Sequence, residues 1–216
     1  MKRKQYVVKS KCGVEFGIPP SLSVAFGENN EKERDAREDI KKLRTRLGDN
    51  ASLYSHSRVA QRLYHMEHSL ERLRDFKNPI SLTFTFIGPE KAVKKLSAEN
   101  FNSLLHKVLK KCRVKKYLTG KETLECVAVH EYDSVTRPHI HAIFDIPKKL
   151  DEYEFIKIIA SFWQNLGDCR THENKSLRNK PCIYVTEYNS PERAVSYLFK
   201  EETKDKNEEF STFILA

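Results

Sequence analysis

No stretch of the chain approaches the ~18 to 20 uninterrupted apolar residues of a membrane span, which excludes an integral membrane protein built on helices. Cys-x-x-Cys pairs are also missing. The five cysteines, Cys12, Cys112, Cys126, Cys169 and Cys182, are odd in number and scattered. That pattern argues against a disulfide framework and fits the reduced thiols of an intracellular protein. The basic start, Met1-Lys2-Arg3-Lys4-Gln5, lacks the apolar run of a secretory signal. Internal repeats and Gly/Ser-rich linkers are absent as well, so 216 residues suggest one ordinary domain with a smaller appendage.

What the chain does have is charge, unevenly placed. Lys and Arg number 39 against 30 Asp and Glu, a formal net of +9. Residues 77–120 alone hold 10 basic and 2 acidic side chains, whereas residues 121–216 are net acidic. A concentrated basic face attracts polyanions, nucleic acid above all, although a lysine-rich helix also serves simply as a solvated surface. Apolar residues at 39% and aromatics at 10% suffice for a real core.

The texture of the chain divides near residue 77. Residues 1–76 read as an N-terminal arm, including Tyr6-Val7-Val8, followed by a helical accessory region. Its first helix runs through Glu31 to Leu47; its second, from Ser57 to Phe76, carries Val59, Leu63, Met66, Leu70 and Leu73 at helical spacing. Residues 77–216 read as the main domain. Ser81-Leu82-Thr83-Phe84-Thr85-Phe86-Ile87 alternates as a strand does. Phe101, Leu104, Leu105, Val108, Leu109 and Cys112 mark one face of a helix starting near Ser97, with Lys107, Lys110, Lys111 and Arg113 opposite. A hairpin of Leu124–Glu131 and Pro138–Ile146 follows. A helix then runs from Asp151 to about Leu166, with Asp151 and Glu154 suited to a capping box. Cys182–Tyr188 predicts a strand, and Ser190-Pro191 opens a last helix. The order β-α-β-β-α-β-α predicts an α+β fold, a mainly antiparallel central sheet covered by helices, with an N-terminal helical extension.

Within the hairpin, His139 and His141 stand at i and i+2, so both imidazoles project from one face. With the loop centred near Val135, Glu131 lies across from His139 and Val129 across from His141, placing a carboxylate on the same face. Two histidines and Glu131 would bind Mg²⁺ or Mn²⁺ with positions left for water and phosphate. Asp133 takes the place of Glu131 if the loop length differs by a residue, and His130 faces away. In the last helix, Tyr197 and Lys200 are neighbours at i and i+3, which sets a cation beside a phenol. Cys169, His172 and Cys182 form a poorer donor set, because their spacing is irregular and a fourth ligand is missing.

These residues resemble the rolling-circle replication initiators of the HUH endonuclease superfamily, single-tyrosine type. Ser81-Leu82-Thr83-Phe84-Thr85-Phe86 resembles the family's first motif, Pro138-His139-Ile140-His141 its histidine–hydrophobic–histidine metal motif with Glu131 as the acidic third ligand, and Tyr197-Leu198-Phe199-Lys200 its Tyr-x-x-Lys motif. The resemblance covers about residues 79–205 and implies an RRM-like sheet. It implies a DNA-nicking and joining endonuclease in which Tyr197 forms a 5′-phosphotyrosine, Lys200 offsets charge, and a metal on Glu131, His139 and His141 acts on the phosphate. It also implies rolling-circle replication of a plasmid, phage or similar element. The expected partners are single-stranded or origin DNA, with host helicase and polymerase, in the cytoplasm of a bacterial or archaeal host and with no membrane. Lys107, Lys110, Lys111, Arg113 and Arg137 are candidates for DNA backbone contacts. Tyr184 and Tyr188, in the preceding strand, are weaker nucleophile candidates. Relaxases often carry the histidine motif after the tyrosine, the reverse of the order here, and a histidine-triad hydrolase would want histidine where Ile143 stands. The rival from another class is a DNA-binding module on the same fold without catalysis, an origin binder or repressor.

Overall fold

Apolar side chains on every second residue from Ile80 to Phe84 make this segment the centre of a sheet rather than its edge, because both of its backbone rims are paired. The computed structural model describes residues 8–9, 15–16, 35–47, 58–85, 90–131, 139–163, 166, 183–186 and 188–199. Along the chain run β1 (Val8–Lys9), β2 (Glu15–Phe16), α1 (Ala36–Leu47), α2 (Arg58–Asp75), β3 (Pro79–Thr85) and α3 (Glu90–Val114). Then come β4 (Cys126–Glu131), β5 (His139–Asp145), α4 (Glu152–Trp163), β6 (Ile183–Thr186) and α5 (Pro191–Leu198). β1 and β2 pair with each other, and the four-stranded antiparallel sheet has the order β4-β5-β3-β6, giving an α+β fold.

Period-two alternation sorts the sheet into two faces. Ile80, Leu82, Phe84, Cys126, Ala128, Ile140, Ala142, Phe144 and Ile183 point one way and are buried beneath α3 and α4. Phe84 meets Trp163 and Phe101 edge-on at 5.0 and 5.4 Å between ring centroids, and each such large side chain contributes roughly 1.5–3 kcal/mol by burial. Val127, Val129 and Ile143 point the other way and join Ile40, Leu43, Leu63, Met66, Leu70, Leu73, Val195 and Leu198 in a second core. That core is roofed by α1, α2 and α5, so the N-terminal helices lie on the sheet.

Element ends differ from the expected ones for local reasons. α3 begins at Glu90, seven residues before Ser97. The apolar stripe begins late, but Glu90 to Leu96 contains good helix formers and no breaker short of Pro89, so the helix propagates back to it. α4 stops at Trp163 instead of near Leu166. Its Asp151 cap accepts from the Glu154 N–H at 3.0 Å, whereas the Glu154 carboxylate turns to Lys157 rather than completing the box. β6 is shorter than Cys182–Tyr188, since pairing with β3 covers Phe84 to Ser81. α5 starts as expected, with Ser190 Oγ accepting from the Arg193 N–H and Pro191 in the first turn. Among the described residues no helix is long and apolar enough to cross a membrane. Asp133, Arg137, Lys200, Cys169, His172 and Cys182 lie outside the described residues.

Candidate active site

β5 carries the histidines because its register is fixed from both sides. Glu131 pairs with His139 and Val129 with His141 across the hairpin, the expected register. On the other side Thr83 pairs with His141 and Thr85 with His139. Both imidazoles therefore emerge on the face shared with Val127, Val129 and Ile143. Their ring centroids are 4.7 Å apart and the rings are nearly perpendicular. His141 is buried, and its Nδ1 forms a 2.9 Å hydrogen bond with the Thr83 hydroxyl. A hydroxyl on one ring nitrogen fixes the imidazole and leaves ligation to Nε2, the arrangement usual for metal-binding histidines. His139 and His141 are thus able to hold a divalent ion together. The Glu131 backbone is in register to add a carboxylate; its side chain lies outside the described residues. Among the described residues no group of three His, Cys, Asp or Glu side chains converges.

Tyr197 meets this pair from the helical roof. Val195 and Leu198, with Phe199 just beyond the helix, bury into the second core, which turns the half-buried Tyr197 ring toward the strand. It packs edge-on against His141 at 5.0 Å between centroids. Tyr184 pairs directly with Thr83 and shares this face. Tyr188 offers a poor nucleophile: its hydroxyl is buried without a hydrogen-bond partner among the described residues. Burial, with the carboxylates of Glu192 and Asp145, pushes its phenol up to about 12. His130 lies on the opposite face, buried edge-on to Phe101, as the alternation predicts.

The basic residues are elsewhere. Lys107, Lys110, Lys111 and Arg113 are exposed on α3, whose other side packs on the sheet face away from the histidines. The sheet and a helix layer separate these cations from Tyr197. Two features of the site escape a reading of the sequence. Thr83 was legible as a polar residue on the histidine face, in direct register with His141. The polar ties that hold α5 link residues more than a hundred positions apart and left no local signal.

A family model described as replication-associated protein ORF2 matches residues 79–206, from the first residue of β3 to beyond α5 and over more than half of the chain. No curated protein and no solved structure gives a match.

Proposed function

Since the chain belongs to the ORF2 family of replication-associated proteins, we propose that it initiates replication by nicking and rejoining single-stranded DNA through Tyr197. The observation that carries this reading is the contact of the Tyr197 ring with His141, which itself neighbours His139. A phenol, two imidazoles and an in-register carboxylate residue at one end of a sheet suit phosphodiester transesterification. In that reaction the Tyr197 oxygen bonds to phosphorus as the phenol gives up its proton to water. The bond from phosphorus to the 3′-oxygen breaks, and that oxygen takes a proton to become a 3′-hydroxyl. The 5′-phosphate remains on Tyr197, so the ester is conserved and a later 3′-hydroxyl can reverse the step without a nucleotide cofactor. The released 3′-hydroxyl is a primer for a host polymerase.

The tasks divide among the residues around the phenol. Thr83 holds the His141 ring in one orientation, and packing against His141 limits where the phenol oxygen can go. Lys200, one turn beyond Tyr197 in sequence, offsets negative charge on the phenolate or phosphate. A Mg²⁺ or Mn²⁺ ion on His139, His141 and Glu131 would polarise a non-bridging phosphate oxygen. Lys107, Lys110, Lys111 and Arg113 bind DNA backbone away from the cleavage point.

The test uses the full chain, Mn²⁺ and a random single-stranded DNA library, with denaturing gels to detect a covalent protein–DNA adduct. We expect an adduct with the wild type and none with Tyr197→Phe. Binding without any adduct would replace this reading with a non-catalytic DNA-binding module, and an adduct surviving Tyr197→Phe would move the nucleophile elsewhere.

A further inference from the structure

We propose that α1 and α2 form a brace that sets the rotation of α5, with Glu192, Ser196 and Asp39 acting as positioning residues for Tyr197. The proposal rests on the nicking role given above to Tyr197, and it assigns part of the site's machinery to a region outside the family match, which begins at residue 79.

α5 has eight residues, fewer than the ~12 to 15 at which an isolated helix becomes even marginal in water, so its orientation comes from what it touches. Its apolar contacts through Val195 and Leu198 are non-directional and permit a small roll or slide. Its polar contacts are directional. At the first turn, Glu192 Oε1 accepts from Arg37 of α1 at 2.7 Å and from Arg74 of α2 at 2.9 and 3.3 Å. This carboxylate has a side chain only 16% exposed, and the two guanidinium groups hold its pKa down at about 2. Near the other end, the buried Ser196 hydroxyl donates to Asp39 Oδ2 of α1 at 2.8 Å.

Two anchors at opposite ends of a short helix fix both its position along its axis and its rotation about it. Successive residues of a helix differ by about 100° in direction, so tying Ser196 to α1 aims Tyr197 at a definite neighbour. That neighbour is His141. Losing the Ser196 tie frees the helix to roll, and a displacement of about 1 Å at a reacting atom costs on the order of 100-fold in rate. Other polar contacts of the brace run between α1 and α2 themselves: Arg44 donates to Glu67 at 2.6 Å, so the two helices move as one body.

The experiment places 3-fluorotyrosine at position 197 and reads its ¹⁹F shift, which senses the His141 ring and does not depend on catalysis. Asp39→Ala and Ser196→Ala are compared with Asp39→Asn, which keeps an acceptor for the Ser196 hydroxyl. Adduct formation is followed in parallel on full chains carrying ordinary tyrosine. The brace predicts that Asp39→Ala and Ser196→Ala move or broaden the fluorine signal and slow adduct formation by 10- to 100-fold, with DNA affinity within two-fold of the wild type. Asp39→Asn keeps both the signal and the rate near wild type. A fluorine signal unchanged in Asp39→Ala and Ser196→Ala overturns the brace, whatever happens to the rate. So does an equal shift in all three variants, which would trace the effect to charge or to general loosening. If the wild type forms no adduct yet the alanine variants alone shift the signal, the brace stands and the nicking assignment falls.

Discussion

Thr83 and His141 form the contact on which the candidate site is most sensitive to a single atom. Both are buried, so removing the hydroxyl leaves an imidazole nitrogen facing an apolar group with no water to replace it. Thr83→Val should lower stability by about 1–2 kcal/mol in thermal or chemical unfolding. It should also weaken Mn²⁺ binding by roughly 10- to 100-fold in calorimetric titration, because the ring then loses its preset orientation. Thr83→Ser should restore most of both. Tyr188 predicts the opposite sign. Its buried hydroxyl finds no partner among the described residues, so Tyr188→Phe should leave stability unchanged or raise it by up to ~1 kcal/mol. Adduct formation should persist in that variant, and its loss would make Tyr188 part of the chemistry.

At the scale of elements, the ion pairs between the roof helices carry a pH signature. Glu192 is held at about 2 by hydrogen bonds from Arg37 and Arg74, against an ordinary value near 4.5. A depressed carboxylate contributes stability that is fully present above its unfolded value and is lost as pH falls through the folded one. Glu192→Gln should therefore destabilise the protein by on the order of 1 kcal/mol at pH 7, a modest figure because both arginines remain substantially exposed. The gap between wild type and variant should close between roughly pH 4.5 and 2 in a series of melts. A gap that stays constant down to pH 2 would mean that the carboxylate charge is not what holds α5. The same scale explains which elements were legible. α2 and α5 could be read because stripe, cap and stop agree within a few residues, whereas the first turns of α3 lack the stripe and are held by backbone propensity alone.

Across the whole molecule, chemistry and charge sit on different faces. The histidines and Tyr197 lie between the sheet and the α1–α2–α5 roof, and the α3 cations lie outside the opposite helix layer. DNA bound to one cannot touch the other without passing around the edge of the sheet. Replacing Lys107, Lys110 and Lys111 together with Gln should therefore weaken binding of long or duplex DNA and flatten its salt dependence by about 0.9 in logarithmic slope for each phosphate no longer neutralised. Cleavage of a short oligonucleotide at saturating concentration should be unaffected. A variant that cleaves short substrates poorly while binding long ones normally would contradict this separation.

The hairpin register, the shared face of His139 and His141, the inward turn of the α3 stripe and the start of α5 were all set by the chain itself. Each depends on spacings of two to four residues or on a turn whose length can be counted, and local backbone geometry allows few alternatives. Where α1 and α2 dock, which side of the sheet receives the basic helix, and how Tyr197 comes to rest against His141 were decided by the tertiary structure. Arg37 and Glu192 are 155 residues apart, and Asp39 and Ser196 are 157 apart. Such contacts form because burying two apolar cores leaves one arrangement in which these charges and hydroxyls are also satisfied, and no local pattern encodes that arrangement.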